Sequence, residues 1–188
     1  MNRTFRIFFA FCGKTESHFR KKETTTMKLL VFSDTHRKTE PMANIIRQNV
    51  GKVDLVIHLG DNYTDLAAIR DDFPQVAFLG VCGNCDLFVS QNYPVSDTVS
   101  LDGHKLFFTH GHRYNIRISD TVLGFEARKA GADIALYGHT HVGAYYEKNG
   151  MTFFNPGSLS EPRDGKPGSY GYITLTPERC TFEHRYLS

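Results

Sequence analysis

Tryptophan is absent from the 188-residue chain, and cysteine is scarce, with four residues at positions 12, 82, 85 and 180. Cysteines so few and so scattered exclude a disulfide-built scaffold and favour a reducing, cytoplasmic setting. No apolar run approaches the roughly 20 residues that a membrane-spanning helix needs, so no membrane partner is expected. Glycine and proline together number 23, too few for a collagenous or low-complexity chain. A basic stripe is also missing. The net charge of +2 hides an asymmetry, because residues 1–26 hold six Lys/Arg against two acids, leaving 16 bases and 18 acids beyond them. A body of that balance lacks the cationic track that phosphate backbones select, which disfavours sequence-specific DNA binding and long nucleic acids.

What is present is ordinary globular composition, 40% hydrophobic and 22% charged, in a length that suits one domain. Residues 1–26 begin like a poor signal peptide: Arg3 and Arg6 precede an apolar stretch of about six residues, with no small-x-small cleavage site after it. We read them as an extension outside the domain, the alternative being a basic targeting or docking arm, and place the single domain at 27–188. From Met27 onward, apolar runs bounded by turn residues predict buried strands at Leu29–Phe32, Leu55–Leu59, Val76–Val81, Leu106–Thr109 and Ile134–Tyr137. Met42, Ile45, Ile46 and Val50 at helical spacing behind Pro41 predict a helix ending near Gly51. Two more helices are expected over 63–71 and 119–130, the second with Ser119 as its cap. Asp102-Gly103 and Asn149-Gly150 read as tight hairpin turns, and late strands are expected over 170–175 and 180–186. Alternating strand and helix, followed by hairpins, implies two sheets packed together with helices outside.

The chemistry-bearing residues recur just beyond the predicted strand ends. Asp34 and His36 follow the first strand, Asp61 the second, and Asn84 and Asp86 the third; His110 with His112, and His139 with His141, follow the next two. The carboxyl ends of strands line the ligand crevice of open α/β sheets, so clusters distant in the chain are expected to converge. Carboxylate, imidazole and amide together suit hard or borderline divalent cations, and the inventory is large enough for two ions sharing a bridging carboxylate. Any one of these residues alone reads more simply as a turn, cap or core residue. The ordered repetition is what favours ligation.

With that ordered set, D-x-H, G-D, G-N-x-D, H-G-H and G-H-x-H, followed by Asn155-Pro-Gly-Ser, the chain resembles the calcineurin-like metallophosphoesterase superfamily, and most closely its small bacterial and archaeal phosphodiesterase branch. The resemblance covers essentially all of 27–188. It implies a four-layer α/β/β/α sandwich of two packed mixed sheets with flanking helices, and hydrolysis of a small-molecule phosphoester by a metal-bridging hydroxide. Carried over, Asp34, His36, Asp61 and His141 would hold one metal, and Asp61, Asn84, His110 and His139 the other, with Asp61 as the bridge. Asn84, Asp61 and His110 would thereby be catalytic. Mn²⁺ is the first candidate for the two ions, with Ni²⁺, Fe²⁺, Zn²⁺ or Mg²⁺ as alternatives. One departure matters: many relatives have His where this chain has Cys85, as the small branch commonly does, and that removes one imidazole from the substrate phosphate.

Arg37 and Arg163 are candidate phosphate contacts, because guanidinium binds phosphate oxygens bidentately, and His112 is a candidate replacement for the missing imidazole. Asp86, His58 and Asn155 are read as residues that orient ligands rather than touch metal. His18, His104 and His184 read as surface residues. Cys82 and Cys85 also spell C-x-x-C, but without two further ligands at finger-like spacing that motif carries little. Aromatic residues of the late strands, including Tyr145 and Tyr170, are expected mostly in the core, with an outward face open to contact in a homo-oligomer. The alternative function is a non-catalytic scaffold with the metallophosphoesterase fold, like the retromer subunit of that architecture; such scaffolds tend to lose ligands, and this chain keeps all seven.

Overall fold

The computed structural model describes residues 26–86 and 93–188. The reading of residues 1–26 as an extension, and of His18 as a surface residue, lies outside the described residues apart from position 26.

Strand β1 (Met27–Phe32) alternates its faces with the period of two that any strand imposes. Leu29 and Val31 point into one apolar cluster, and Leu30 and Phe32 into another. Helix α1 (Thr39–Asn49) follows, burying Met42, Ala43, Ile45 and Ile46, with Glu40 and Pro41 in the first turn, where an acid and a missing N–H are both tolerated. Strand β2 (Leu55–His58), helix α2 (Tyr63–Ile69) with a 3₁₀ turn at Arg70–Asp72, and strand β3 (Ala77–Gly80) complete a parallel β1–β2–β3 unit.

The chain then builds a second sheet. Strands β4 (Ser96–Leu101) and β5 (His104–Thr109) form a hairpin, and helix α3 (Thr121–Lys129) leads to β6 (Ile134–Tyr137). A second hairpin joins β7 (Gly143–Lys148) to β8 (Met151–Pro156). Both hairpins turn where expected: Asp102 with Gly103 and Asn149 with Gly150 all take positive φ, the geometry that matches strand twist in a two-residue turn. Strands β9 (Ser169–Thr176) and β10 (Arg179–Tyr186) return to the first sheet, where β9 runs antiparallel to β1 with Leu29 opposite Ile173. The sheet orders are β10-β9-β1-β2-β3 and β4-β5-β6-β8-β7.

Three apolar clusters stack between four layers. α1 and α2 cover the first sheet through Leu30, Phe32, Met42, Ile46, Val56 and Leu66. Leu29, Ile57, Leu106, Leu136, Phe154 and Ile173 fill the seam between the sheets. α3 covers the second sheet through Leu123, Ala127, Ala135 and Phe153. This is the expected α/β/β/α sandwich.

Three details depart from expectation. α3 begins at Thr121 rather than 119, and Ser119 caps nothing at long range; its hydroxyl accepts the Thr121 N–H at 3.2 Å. The residue before the helix is Asp120, whose carboxylate turns instead to Tyr146 Oη at 3.0 Å and Lys148 Nζ at 2.6 Å on β7. His104 and His184 are not simple surface residues. His104 bridges the seam, with Nδ1 2.7 Å from Asp133 Oδ2 and Nε2 3.0 Å from the Thr176 carbonyl. His184 donates to the Asn155 carbonyl at 2.7 Å and stacks on Phe154.

Candidate metal centre

The parallel strands of both sheets end along one side of the sandwich, so the segments that leave β1, β2, β3, β5, β6 and β8 meet there. Backbone hydrogen bonds tie them pairwise: Asp34 N–H donates to the Gly60 carbonyl at 3.0 Å, and Gly138 N–H to the His110 carbonyl at 3.1 Å. A link across the seam comes from His139 N–H, which donates to Asp34 Oδ2 at 3.1 Å. The approach is close enough to need glycine. A side chain at Gly138 would drive into Ser33 and Asp34, and one at Gly83 into Asp61. Asp34, His36, Arg37, Asp61, Asn62, His139 and His141 all take positive φ, a conformation that costs a non-glycine residue about 1–2 kcal/mol. Among the described residues most such strain sits in these loops, which is where functional geometry overrides local preference.

The loops bring the sequence candidates together in two overlapping groups. Ligand atoms of Asp34, His36, Asp61 and His141 all lie within 4.8 Å of one another. Around His110 Nε2 lie Asn84 Oδ1 at 3.1 Å, His139 Nδ1 at 3.2 Å and Asp61 Oδ1 at 3.4 Å. Asp61 is common to both. Asp34, Asp61, His110 and His141 form a buried floor, while Asn84 and Cys85 are exposed at the lip.

The hydrogen bonds leave lone pairs facing inward. His110 Nδ1 lies 2.8 Å from the Leu59 carbonyl and His141 Nδ1 2.7 Å from the Glu161 carbonyl, contacts that require a proton on each Nδ1. Their Nε2 lone pairs then face the carboxylates, as ligating imidazoles are oriented by outer partners. One oxygen of Asp34 is anchored by Ser33 Oγ at 2.5 Å and the His139 N–H. The other, Oδ1, is buried without a hydrogen bond, as is His36 Nε2. His141 Nε2 lies 3.0 Å from Asp34 Oδ1 and His36 Nε2 3.8 Å from Glu161 Oε2, and donors converging in this way around one buried point fit a cation.

The electrostatics agree. Burial alone would raise Asp34, but His141, His110 and Ser33 hold its carboxyl below the ordinary range, and Asp61 is held down by His110 and the Cys85 amide against the same burial. Burial works against charging His110 and His141, yet Asp61 and Asp34 push His110, and Asp34 and the Glu161 carbonyl push His141, above the ordinary imidazole value. In metal-free protein a proton between His141 Nε2 and Asp34 Oδ1, 3.0 Å apart, relieves the facing lone pairs. Burial, then the fields of His110 and Arg117, depress His139 to about 4, leaving it neutral.

Outer residues hold this arrangement. Asp86 accepts N–H bonds from Asn62 at 3.1 Å, Tyr63 at 2.8 Å and Gly83 at 2.8 Å, locking the β2 and β3 loops together. Asn155 donates to the Gly138 carbonyl and Thr140 Oγ1, both at 3.0 Å, beneath the GHTH turn. His58 is fully buried and lowered to about 4 by that burial; its Nδ1 accepts the Gly60 N–H at 3.2 Å, so Nε2–H donates to Thr35 Oγ1 at 3.0 Å. The Thr35 hydroxyl in turn donates to Asp65 Oδ2 at 2.7 Å, and Arg37 N–H donates to the same oxygen at 2.8 Å. Asp65, Ser33 and Ser160 carry no sequence signal as site residues, whereas Ser158 closes the Asn155-Pro-Gly-Ser motif. Ser158 and Ser160 donate to the Asp34 carbonyl at 2.9 and 3.0 Å. An acid in the first turn of a helix reads locally as a dipole partner, so Asp65 carries no sequence signal for this role.

At the rim, the His112 ring lies 5.4 Å from His110 and 6.2 Å from His139, its Nδ1 buried without a partner. Arg163 is exposed, with its N–H on the His141 carbonyl at 3.0 Å, and Arg37 is exposed beside His36. Cys85 donates through N–H to Asp61 Oδ1 at 2.8 Å and through Sγ to Oδ2 at 3.2 Å. Cys82 and Cys85 are both free thiols.

A model of the calcineurin-like phosphoesterase superfamily domain matches residues 27–178. The chain belongs to that superfamily. Among relatives within it, phosphodiesterase YfcE of Escherichia coli is 32% identical over 169 residues, covering 78% of this chain and 87% of its own. Vacuolar protein sorting-associated protein 29 of Schizosaccharomyces pombe is 31% identical over 143 residues, covering 71% and 73%. A crystal structure of a predicted phosphoesterase from Streptococcus pneumoniae superposes with a TM-score of 0.68 at 26% identity, over 85% of this chain and 98% of that one. As a superfamily member, the chain combines a phosphoesterase fold with a candidate divalent-metal site at Asp34, His36, Asp61 and His141. Among the described residues no helix is long and apolar enough to cross a membrane.

Proposed function

We propose that the chain is a metal-dependent phosphodiesterase acting on small phosphodiesters. The observation that carries this reading is the pair of overlapping donor sets sharing Asp61, with Asp34, His36, Asp61 and His141 offering ligand atoms within 4.8 Å of one another. Asp34, His36, Asp61 and His141 are assigned to one divalent cation, and Asp61, Asn84, His110 and His139 to a second; Mn²⁺ is our first choice for both. Such ions, when bound, supply Lewis acidity and a water that ionises near neutral pH. The protein's part is to hold the donors. The carbonyls of Leu59 and Glu161 keep His110 and His141 in one tautomer, and Asp34 and Asp61 remain ionised. Arg37 and Arg163, both exposed, are assigned to phosphate oxygens, and His112, its ring 5.4 Å from His110, to the departing oxygen.

The exposed lip favours small substrates with good leaving groups, since Cys85 stands where an imidazole would otherwise donate a proton. The sorting-protein relative favours a second reading, a scaffold that keeps this fold for protein contact. Retention of the full donor set argues against it. The test is hydrolysis of an aryl phosphodiester beside its monoester, after metal stripping and after adding Mn²⁺, Ni²⁺, Mg²⁺ or Zn²⁺ in turn. We expect metal-restored diester cleavage that Asp61→Asn and His139→Ala abolish; turnover surviving both substitutions overturns the reading.

A further inference from the structure

The segment entering α3 and the helix itself leave an apolar ridge uncovered. Ile118 is 87% exposed, Val122 47% and Phe125 60%; Val122 and Phe125, three residues apart, share one face of α3, and Ile118 projects from the segment that enters it. The opposite face, with Leu123, Gly124 and Ala127, is committed to the second sheet. Basic residues outnumber the acids Asp120 and Glu126 around the ridge. Arg113, Arg117, Arg128 and Lys129 are exposed around it; Lys129 meets Glu126 at 3.7 Å, and none of the three arginines forms an ion pair among the described residues. The ridge also adjoins the donor cluster, because Arg117 Nη2 donates to the His139 carbonyl at 3.2 Å and Ile118 is the next residue.

We propose that this ridge docks the protein on an anionic lipid surface, with the mouth of the donor cluster at the edge of the contact. A second copy of the chain would set arginines against arginines across a two-fold axis, whereas an anionic surface neutralises them. A protein partner needs flanks to fill a groove. Side chains standing as clear as Ile118 and Phe125 offer no groove, but they enter the headgroup boundary of a bilayer, as the apolar face of an interfacial helix does. Docking of this kind does not depend on the proposed hydrolysis, and it is peripheral, needing no spanning segment.

The experiment is co-sedimentation of the full 188-residue chain with phosphatidylcholine vesicles containing about one-third phosphatidylglycerol, and with phosphatidylcholine alone, at low salt. The full chain is expected to sediment with the anionic vesicles. Ile118→Ser/Val122→Ser/Phe125→Ser, checked for native circular dichroism, should lower partitioning at least about tenfold. Val122→Lys/Phe125→Lys should also weaken it although it adds positive charge, which separates apolar insertion from simple attraction. An unchanged partition in these variants overturns the proposal and transfers any contact to the basic residues 1–26. Failure to bind anionic vesicles overturns it too, as does a dimer in sedimentation velocity that the serine variant dissolves.

Discussion

Among single residues, Cys85 and Asp65 carry the sharpest predictions. The Cys85 thiol is pushed up to about 11 by burial and by Asp61, so at neutral pH it is a neutral, poor acid at the lip. Cys85→His is therefore expected to raise cleavage of diesters with poor leaving groups by about tenfold or more relative to aryl diesters, within the range general acids supply. Metal content, measured by elemental analysis, should not change; loss of metal in that variant would mean Cys85 belongs among the donors. Asp65 acts through others. Its carboxylate holds Thr35 Oγ1 and the Arg37 N–H, both in the strained turn that presents Asp34 and His36. Asp65→Ala should cost about 2 kcal/mol in denaturant unfolding and weaken metal binding by about 10–100-fold. Native affinity in that variant would show that the turn holds itself. The contrast between these residues explains what was legible. Residues repeated at strand ends announce themselves because the same types recur at the same kind of place. Asp65, His104 and His184 do not, because their partners are atoms that only the folded chain brings near.

At the scale of elements, Asp120 joins the start of α3 to β7 through Tyr146 and Lys148. Burial pushes its carboxyl up, but the hydrogen bonds and the Lys148 charge together outweigh it and hold it below the ordinary value of 3.8. A depressed carboxylate stabilises the fold above its unfolded value and loses that contribution as pH falls through the folded one. Asp120→Asn should thus cost about 1 kcal/mol at neutral pH, with the difference from the parent shrinking below pH 3.8. A constant difference across that range, in urea melts at stepped pH, would assign the cost to packing instead. The same helix shows how local signals mislead. Ser119 is a good cap residue by type, yet the chain enters α3 at Thr121 because Asp120 is drawn toward β7 and Ile118 stays outside. Strands and hairpins were legible because period and turn chemistry are local. Which strands adjoin was not, since nothing near Leu29 announces that Ile173 will lie beside it.

For the molecule as a whole, the candidate centre joins both sheets, Asp34, His36, Asp61 and Asn84 coming from the first and His110, His139 and His141 from the second. Cation binding across that seam should stabilise the fold by mass action, about 2.7 kcal/mol at a metal concentration of 100 Kd. Chelation is expected to lower Tm by roughly 5–10 °C, and readdition of Mn²⁺ to restore it. A melting curve indifferent to chelator would mean that the donors hold no cation. The antiparallel pairing of β9 with β1 bears on how the protein is made. Synthesis runs from the N-terminus, so β1 leaves the ribosome with one flank open until residues 169–176 emerge to cover it. For most of translation the nascent first sheet is a β2-side half with an unpaired edge, a surface that invites wrong partners and slows closure. Truncations before β9 should therefore aggregate rather than persist as small folded units, and the candidate centre comes into being only near the end of the chain's birth.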